Sequence, residues 1–341
     1  MEPRFCFTLD TEPDDLWADA QTQNFEHFRV LPQFHRRLID AGAKPTYLTT
    51  SEVVQSKLGR QAMEACLVDG HCEVGAHFHS WTRDWPFEVP DLGSPRVHAM
   101  AHQLGQPIEQ QMLEFTCRVL HKALGVEPRS HRGGRWSLGP ETARSLAKCG
   151  IMVDSTVTPG LSWRDARSPL LNGPDFRSAS PQPFWLSDGH DGKQEDGPSV
   201  GSVLEIPVGA AFFPDWARKV FRTRFQVNAA SKLGRTIGIR IAHRWLRPTK
   251  FSVSDMRAVM IAMQRARVPA WVFMIHSSEI IPCTPLPTKE AVEAFCDRCV
   301  GGIRAAIELG AKPATLKEVA EWVISQDLAL SSSQTRSIFP E

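Results

Sequence analysis

Two histidines two residues apart, His77 and His79, lie in the run Gly75-Ala76-His77-Phe78-His79-Ser80-Trp81. On a strand, residues i and i+2 face the same way, so the two imidazoles can meet one ligand. Two imidazoles and a carboxylate form a common catalytic zinc set that leaves a fourth position for water. A metal held there lowers the pKa of that water and polarises a carbonyl. The carboxylates come from the N-terminus. There Phe5–Asp15, FCFTLDTEPDD, passes from an alternating strand into Asp10, Glu12, Asp14 and Asp15. Nothing so acidic suits a buried strand interior, so the stretch reads as a strand whose C-terminal end opens into a polar site. On its own the His-x-His pair reads more readily as two solvated loop histidines near a tryptophan. The acid cluster at another strand end favours the metal.

The elements that must position these groups alternate. Strands are predicted at Phe5–Leu9, Thr46–Thr50, Cys72–Ala76, Pro128–His131, Ile151–Asp154, Val203–Val208 and Ala270–Ile275, with helical patterns between most of them. Helices are predicted over Asn24–Ala43, Glu52–Asp69, Ile108–Leu124, Glu141–Cys149, Phe251–Ala266, Glu290–Leu309 and Leu316–Ile324. Gly42, Gly70 and Gly310 stand at three of the predicted C-termini, as helix stops do. Strand–helix alternation argues a parallel sheet with helical crossovers, which places every strand's C-terminal end at one mouth. Four more groups would converge there: Arg132 and Trp136 after the fourth strand, Asp154 after the fifth and His276 after the last. Neither a G-x-G-x-x-G nor a G-x-x-x-x-G-K is present, so dinucleotide and P-loop phosphate binding are not signalled.

Size and composition set wide bounds. The 341 residues, 42% apolar and 23% charged, are ordinary for a globular chain, and the net charge of +1 says nothing about partners. The length allows two domains or one large α/β barrel. We expect a single barrel domain over 1–326, an insertion with a basic helical region over 156–250, and a disordered tail over 327–341. No run is long enough to span a membrane and no leader precedes the first strand, which points to the cytoplasm. The eight scattered cysteines also suit a reducing compartment. Cys296-Asp-Arg-Cys299 is a C-x-x-C in mid-helix with no second pair, and reads as ordinary helix residues.

Taken in order, Leu9-Asp10-Thr11-Glu12, Gly75–Trp81 with its His-x-His, Arg132-Gly-Gly-Arg135-Trp136, Asp154-Ser155 and Ile275-His276-Ser277 resemble the polysaccharide deacetylase family, the NodB-homology carbohydrate esterases. The likeness runs from about residue 4 to 324 and implies a distorted (β/α)7 barrel. It also implies a divalent metal, most often Zn2+, and hydrolysis of an N-acyl group on an amino sugar by metal-bound water. Carried over by position, Asp10 matches the catalytic base. Glu12 would be the carboxylate ligand, with Asp14 as its competitor. His77 matches the first histidine ligand. The second usually lies four residues on, where this chain has Trp81, so His79 must substitute. Arg132 matches the arginine that orients the base, Asp154 the acid that partners the last histidine, and His276 the general acid.

Other features lie outside those motifs. Trp81 and Trp136 follow strand ends, where indoles either stack on a sugar or cap the core. Arg135 could meet a phosphate or carboxylate of the substrate. From Arg218 to Lys250 the chain carries ten Lys/Arg and no acid. That is either a basic surface helix pair or a patch for an anionic partner, such as a nucleotide- or lipid-pyrophosphate-linked sugar or the inner-membrane surface. No nucleic-acid recognition motif accompanies it. The reading is a cytoplasmic deacylase of surface-polysaccharide or O-antigen biosynthesis, with peripheral inner-membrane contact allowed. Acyl transfer between sugar amines at the same site and a non-catalytic carbohydrate-binding role are the alternatives.

Overall fold

The computed structural model describes residues 2–14, 23–81, 85–90, 100–164, 173–186, 202–213 and 242–329. Seven parallel strands curl into a distorted barrel: β1 (Arg4–Thr11), β2 (Pro45–Thr49), β3 (Glu73–Phe78), β4 (Ser130–Gly133), β5 (Val153–Asp154), β7 (Val203–Glu205) and β10 (Ala270–His276). Their order is β10-β1-β2-β3-β4-β5-β7. The curl closes through a single parallel bridge, Val208 to Val272. A short strand β6 (Phe184–Leu186), from the stretch predicted to be an insertion, pairs antiparallel with β7. A two-residue β11 (Lys312–Pro313) adds to the start of β1.

β10 reads Ala-Trp-Val-Phe-Met-Ile-His and is buried except at His276. A strand so apolar on both faces fits the middle of a covered parallel sheet. Inside the curl, Cys6, Val153, Leu204, Ile206, Ala270 and Val272 meet across the barrel. The helix Leu316–Ser325 packs Leu316, Val319, Ala320 and Val323 against that inner cluster. The larger core lies between the outer sheet face and the helices, with Phe5, Phe7, Phe273 and Trp271 fully buried. Each such side chain contributes roughly 1.5–3 kcal/mol.

The crossover helices match their sequence signals. Ser252 caps Val253–Arg265 in a capping box with Asp255, and Thr315 caps Leu316–Ser325 with Glu318. The second predicted helix is broken at Ser56, whose extended backbone separates Ser51–Gln55 from Lys57–Leu67. Cys296 and Cys299 are buried in the helix Lys289–Glu308, where burial pushes the Cys296 thiol up to about 11.

The predicted helical character of the basic stretch fails where it can be seen. Ala242–Trp245 is a strand, β9, paired antiparallel with β8 (Ala210–Phe213). Leu246 then donates to the Gly209 carbonyl and accepts from the Met274 amide, so this ribbon is sewn to β10. A distant partner, 35 residues away in the Ala210–Trp245 pair, overrode the local pattern. Residues 214–241, which hold most of the basic run, lie outside the described residues, as do Asp15 and 330–341 of the predicted tail. No helix among the described residues is long and apolar enough to cross a membrane.

Candidate functional site

β1, β3, β4 and β10 deliver their polar residues to the C-terminal end of the barrel. Asp10 is in register with His276, and His77 with Arg132. Glu12 follows β1 and His79 follows β3, so both sit one step beyond the sheet. Glu12, His77 and His79 are buried, and their ligand atoms lie within 4.8 Å of one another. Glu12 Oε2 is 2.7 Å from His79 Nε2 and 3.2 Å from His77 Nε2, and the two Nε2 atoms are 3.2 Å apart. Ligands held about 2.0–2.1 Å from a tetrahedral zinc stand roughly 3.3 Å from each other. The three residues therefore fit a divalent cation in both donor type and spacing.

The ring of His77 is fixed from behind. Its Nδ1–H donates to the Arg132 carbonyl at 2.7 Å, which leaves the Nε2 lone pair facing Glu12. His79 is wedged between Trp81, 4.4 Å away between ring centroids, and Gly134. A Cβ at Gly134 would fall 2.7 Å from His79 Nδ1 and 2.3 Å from the Phe78 carbonyl, so only glycine allows the approach. Burial opposes charge on Glu12, yet the two imidazoles hold its carboxyl well below the usual range. Asp14 instead exchanges backbone hydrogen bonds with Asn24 and is not part of this cluster.

Asp10 sits beside the cluster. Arg132, fully buried, donates from Nη1 to Asp10 Oδ1 at 2.7 Å and from Nε to the Ser155 carbonyl at 2.7 Å. Burial works against ionisation of Asp10, but the Arg132 guanidinium, with His77 and His276, keeps its carboxyl below the ordinary value. Asp10 Oδ2 is 4.0 Å from His276 Nε2, and Glu12 Oε1 is 3.8 Å from the same nitrogen.

The partner of His276 is not the expected one. Asp154 does not reach it. Asp154 is in register with His131 and Glu205, one residue out of step with the row that carries Asp10 and His276. That single step turns its side chain to the other face of the sheet. There it accepts from His131 Nδ1 at 2.8 Å and Thr156 Oγ1 at 2.9 Å. His276 is held instead by Arg247 and Glu279. Arg247 Nη2 donates to His276 Nδ1 at 2.8 Å and to Glu279 Oε1 at 3.1 Å. Glu279 Oε2 accepts from the His276 backbone N–H at 3.0 Å and from Thr249 Oγ1 at 2.7 Å. Burial opposes ionisation of Glu279, and Arg247 with His276 nonetheless brings it down to about 2. A guanidinium only donates, so Nδ1 accepts and the ring proton stays on Nε2, facing Asp10.

A pocket of about 360 Å³ opens over these groups, with Asp10, His77, His79 and His276 at its lining. Its wall is aromatic and cationic: Trp136, Trp163 and Trp245 with Arg135, Arg247 and Lys250. Trp136 stacks on Trp163 at 5.5 Å and lies 6.0 Å from Trp245. Trp81 does not line the pocket but lies behind it, against His79 and 5.7 Å below the Arg135 guanidinium. Arg135 and Trp136 both take left-handed backbone conformations, φ 54° and 64°. Each costs about 1–3 kcal/mol for a residue with a side chain, a burden that clusters at functional sites. Sequence reasoning did not single out Trp163, Trp245, Arg247 or Glu279. Glu279, three residues after His276, was the one with a local signal.

A curled parallel barrel with a carboxylate–imidazole cluster at its C-terminal strand ends defines a polysaccharide deacetylase-like fold. One solved structure that shows it is a Mycobacterium smegmatis protein provisionally named a polysaccharide deacetylase. It aligns with a TM-score of 0.53 at 16% identity, over 97% of this chain and 94% of that one. A 4-alpha-glucanotransferase from Thermococcus litoralis aligns at 0.48 and 13% identity, over 94% of this chain and 38% of that one. A structure described as T48 deacetylase with substrate aligns at 0.40 and 9%, over 94% and 92%. No family model matches the sequence. No curated protein matches it either.

Proposed function

We propose that this chain is a metal-dependent amide hydrolase that removes the acyl group from an N-acylated amino sugar. The observation that carries the reading is the Glu12–His77–His79 cluster at a pocket whose lining also holds Asp10 and His276. The donor set favours Zn2+, which when bound supplies an acidified water and a polarised acyl carbonyl. Asp10 serves as base. Arg132 occupies its Oδ1, so Oδ2 is the oxygen that accepts a proton. His276 serves as acid: its Nε2 proton goes to the leaving amine and is replaced by the one that Asp10 has accepted, from Oδ2 4.0 Å away, while Arg247 on Nδ1 fixes that tautomer. Arg132 orients the base. Asp154 acts through the Ser155–Thr156 turn that braces Arg132, as a positioning residue. Trp136 gives the sugar a flat apolar wall, Arg135 contributes a charge, and Trp81 backs both Arg135 and His79.

The setting we assign is surface-polysaccharide or O-antigen assembly, in the cytoplasm or at the inner-membrane face. The substrate there is a nucleotide- or lipid-pyrophosphate-linked sugar. The ten Lys/Arg between 218 and 250 support such a charged partner. Metal analysis of the purified protein, paired with mass spectrometry of N-acylated hexosamines, tests the reading. We expect about one divalent ion per chain, lost in His79→Ala, with free acid as the acyl product. Protein that retains no divalent ion and turns over unchanged in chelator would sink it.

A further inference from the structure

Glu12 and His79 both stand one step past their strands. Trp81 and Gly134 pack His79 in place. Glu12 is held in another way. The register of β1 with β10 ends at Asp10–His276, and that with β2 ends at Thr11–Thr49. The residue after Glu12 is Pro13, which has no N–H to continue a ladder. One side chain takes over. Ser277, the residue after β10, accepts from the Glu12 N–H and donates to the Glu12 carbonyl, both at 3.3 Å. Its hydroxyl acts as one further rung between the ends of β1 and β10. That hydroxyl has a single proton, and the Glu12 carbonyl takes it, so any other group on the oxygen must donate. His27, on the short helix Glu26–Arg29, meets the oxygen through Nε2 at 3.1 Å, which places the ring proton on Nε2. His27 and Ser277 are fully buried. His27 Nδ1 has no hydrogen-bond partner among the described residues. An unpaired ring nitrogen in the interior costs stability, so a ring kept only for packing would serve better as phenylalanine. What the imidazole adds is the Nε2–H aimed at Ser277.

Resting on the metal-dependent reading above, we infer that His27 and Ser277 are positioning residues for Glu12: they lock its backbone so that the carboxylate stands at His77 and His79 before a cation arrives. Groups behind a metal ligand fix its orientation, and a ligand set ordered in advance loses less affinity to ordering on binding. Ser277 also follows His276 directly. The same hydroxyl therefore ties the strand end that carries the acid to the one that carries the ligand, and helps to fix the 3.8 Å between His276 Nε2 and Glu12 Oε1. Neither His27 nor Ser277 lines the pocket, so their action is on Glu12 and not on the substrate.

Competition for Zn2+ against a chromophoric chelator tests this without turnover, on full-length protein stripped of metal and shown to be folded by circular dichroism. Ser277→Ala should weaken Zn2+ binding by about 10–100-fold, the usual effect of losing a group behind a metal ligand. His27→Phe keeps the bulk and removes the donor, and should cost about tenfold. His27→Gln brings an amide N–H toward the same oxygen and should recover most of that loss. His35→Phe controls for a general loss of stability. It breaks the buried His35–Tyr47 hydrogen bond, outside the cluster, and should leave Zn2+ affinity unchanged. Wild-type affinity in Ser277→Ala or in His27→Phe overturns the inference. So does a loss in His35→Phe or His27→Gln equal to that in His27→Phe, since the pair would then only support the fold. Should Ser277→Ala fail to fold, His27→Phe against His27→Gln decides alone. If every variant binds Zn2+ as the wild type does, positioning is refuted and hydrolysis stands. A wild-type protein that takes up no Zn2+ refutes both.

Discussion

Neighbouring residues of β4 point in opposite directions and build two unlike polar clusters. Arg132 turns into the barrel and meets Asp10 beneath the pocket. His131 turns outward and meets Asp154, which in turn abuts Glu205, with Glu109 of the helix Gln106–Leu124 nearby. Both clusters bury carboxyls, yet their proton affinities go opposite ways. Asp10 is held below its ordinary value despite burial, because a guanidinium faces it. Glu205 is raised well above its own, first by burial and then by the Asp154 charge. The outer pair therefore keeps one proton between two acids. A carboxyl becomes a base or a structural proton holder according to whether a permanent cation lies opposite. The two clusters are also linked. Thr156 bridges the Gly133 N–H and Asp154, and Ser155 holds the Arg132 guanidinium.

The largest test of this contrast removes the inner charge. Asp10→Asn keeps an acceptor for Arg132 but cannot take a proton, so deacylation by the folded protein should fall by about 10²–10⁴-fold. Near-normal release of acyl product by that variant would remove Asp10 from the chemistry. Arg132→Met strands Asp10 as a buried charge and should cost about 3–5 kcal/mol in urea unfolding. A loss under 1 kcal/mol would mean that the guanidinium is not what makes the two clusters differ.

The next test belongs to the outer cluster. Burial raises the Glu109 carboxyl from 4.5 to about 7. Between those values the folded chain binds more protons than the unfolded one, so this group's contribution falls as pH rises through that window. Glu109→Gln keeps the hydrogen bond from Thr142 and removes the penalty. It should raise stability at pH 8 by an amount on the order of 3 kcal/mol and do little at pH 4. An equal gain at both pH values would contradict the assignment. The smallest effect is expected from Glu205→Gln. Its amide donates to Asp154 as the protonated acid does, so thermal unfolding should shift by no more than about 1 kcal/mol. A large destabilisation would show that Glu205 is ionised and the contrast false.

What the sequence made legible follows from range. Asp10, His77, Arg132 and His276 lie at the ends of apolar runs, and the two-residue period of a strand is enough to aim them together. The spacing of His77 and His79 needs nothing more distant than a carboxylate from β1. Asp154 was legible as a strand end but not as to face. Its strand has two residues, and its orientation depends on register with His131 and Glu205 across two neighbours. Arg247 and Trp245 were hidden differently. Their placement depends on pairing with Ala210–Phe213 and on the Leu246–Met274 hydrogen bond, and neither leaves a periodic trace in the basic run itself.

The β8–β9 ribbon has one more consequence. The barrel strands and the residues just past their ends hold every group assigned to bond breaking, while the ribbon and the turn after it supply Trp245, Arg247 and Lys250 to the wall. Taste and teeth are thus housed largely apart and joined at one point, where Arg247 holds His276. A lineage could rewrite Trp245 and Lys250 to accept a different sugar without disturbing the strands that hold the cluster, as long as Arg247 and Thr249 stay.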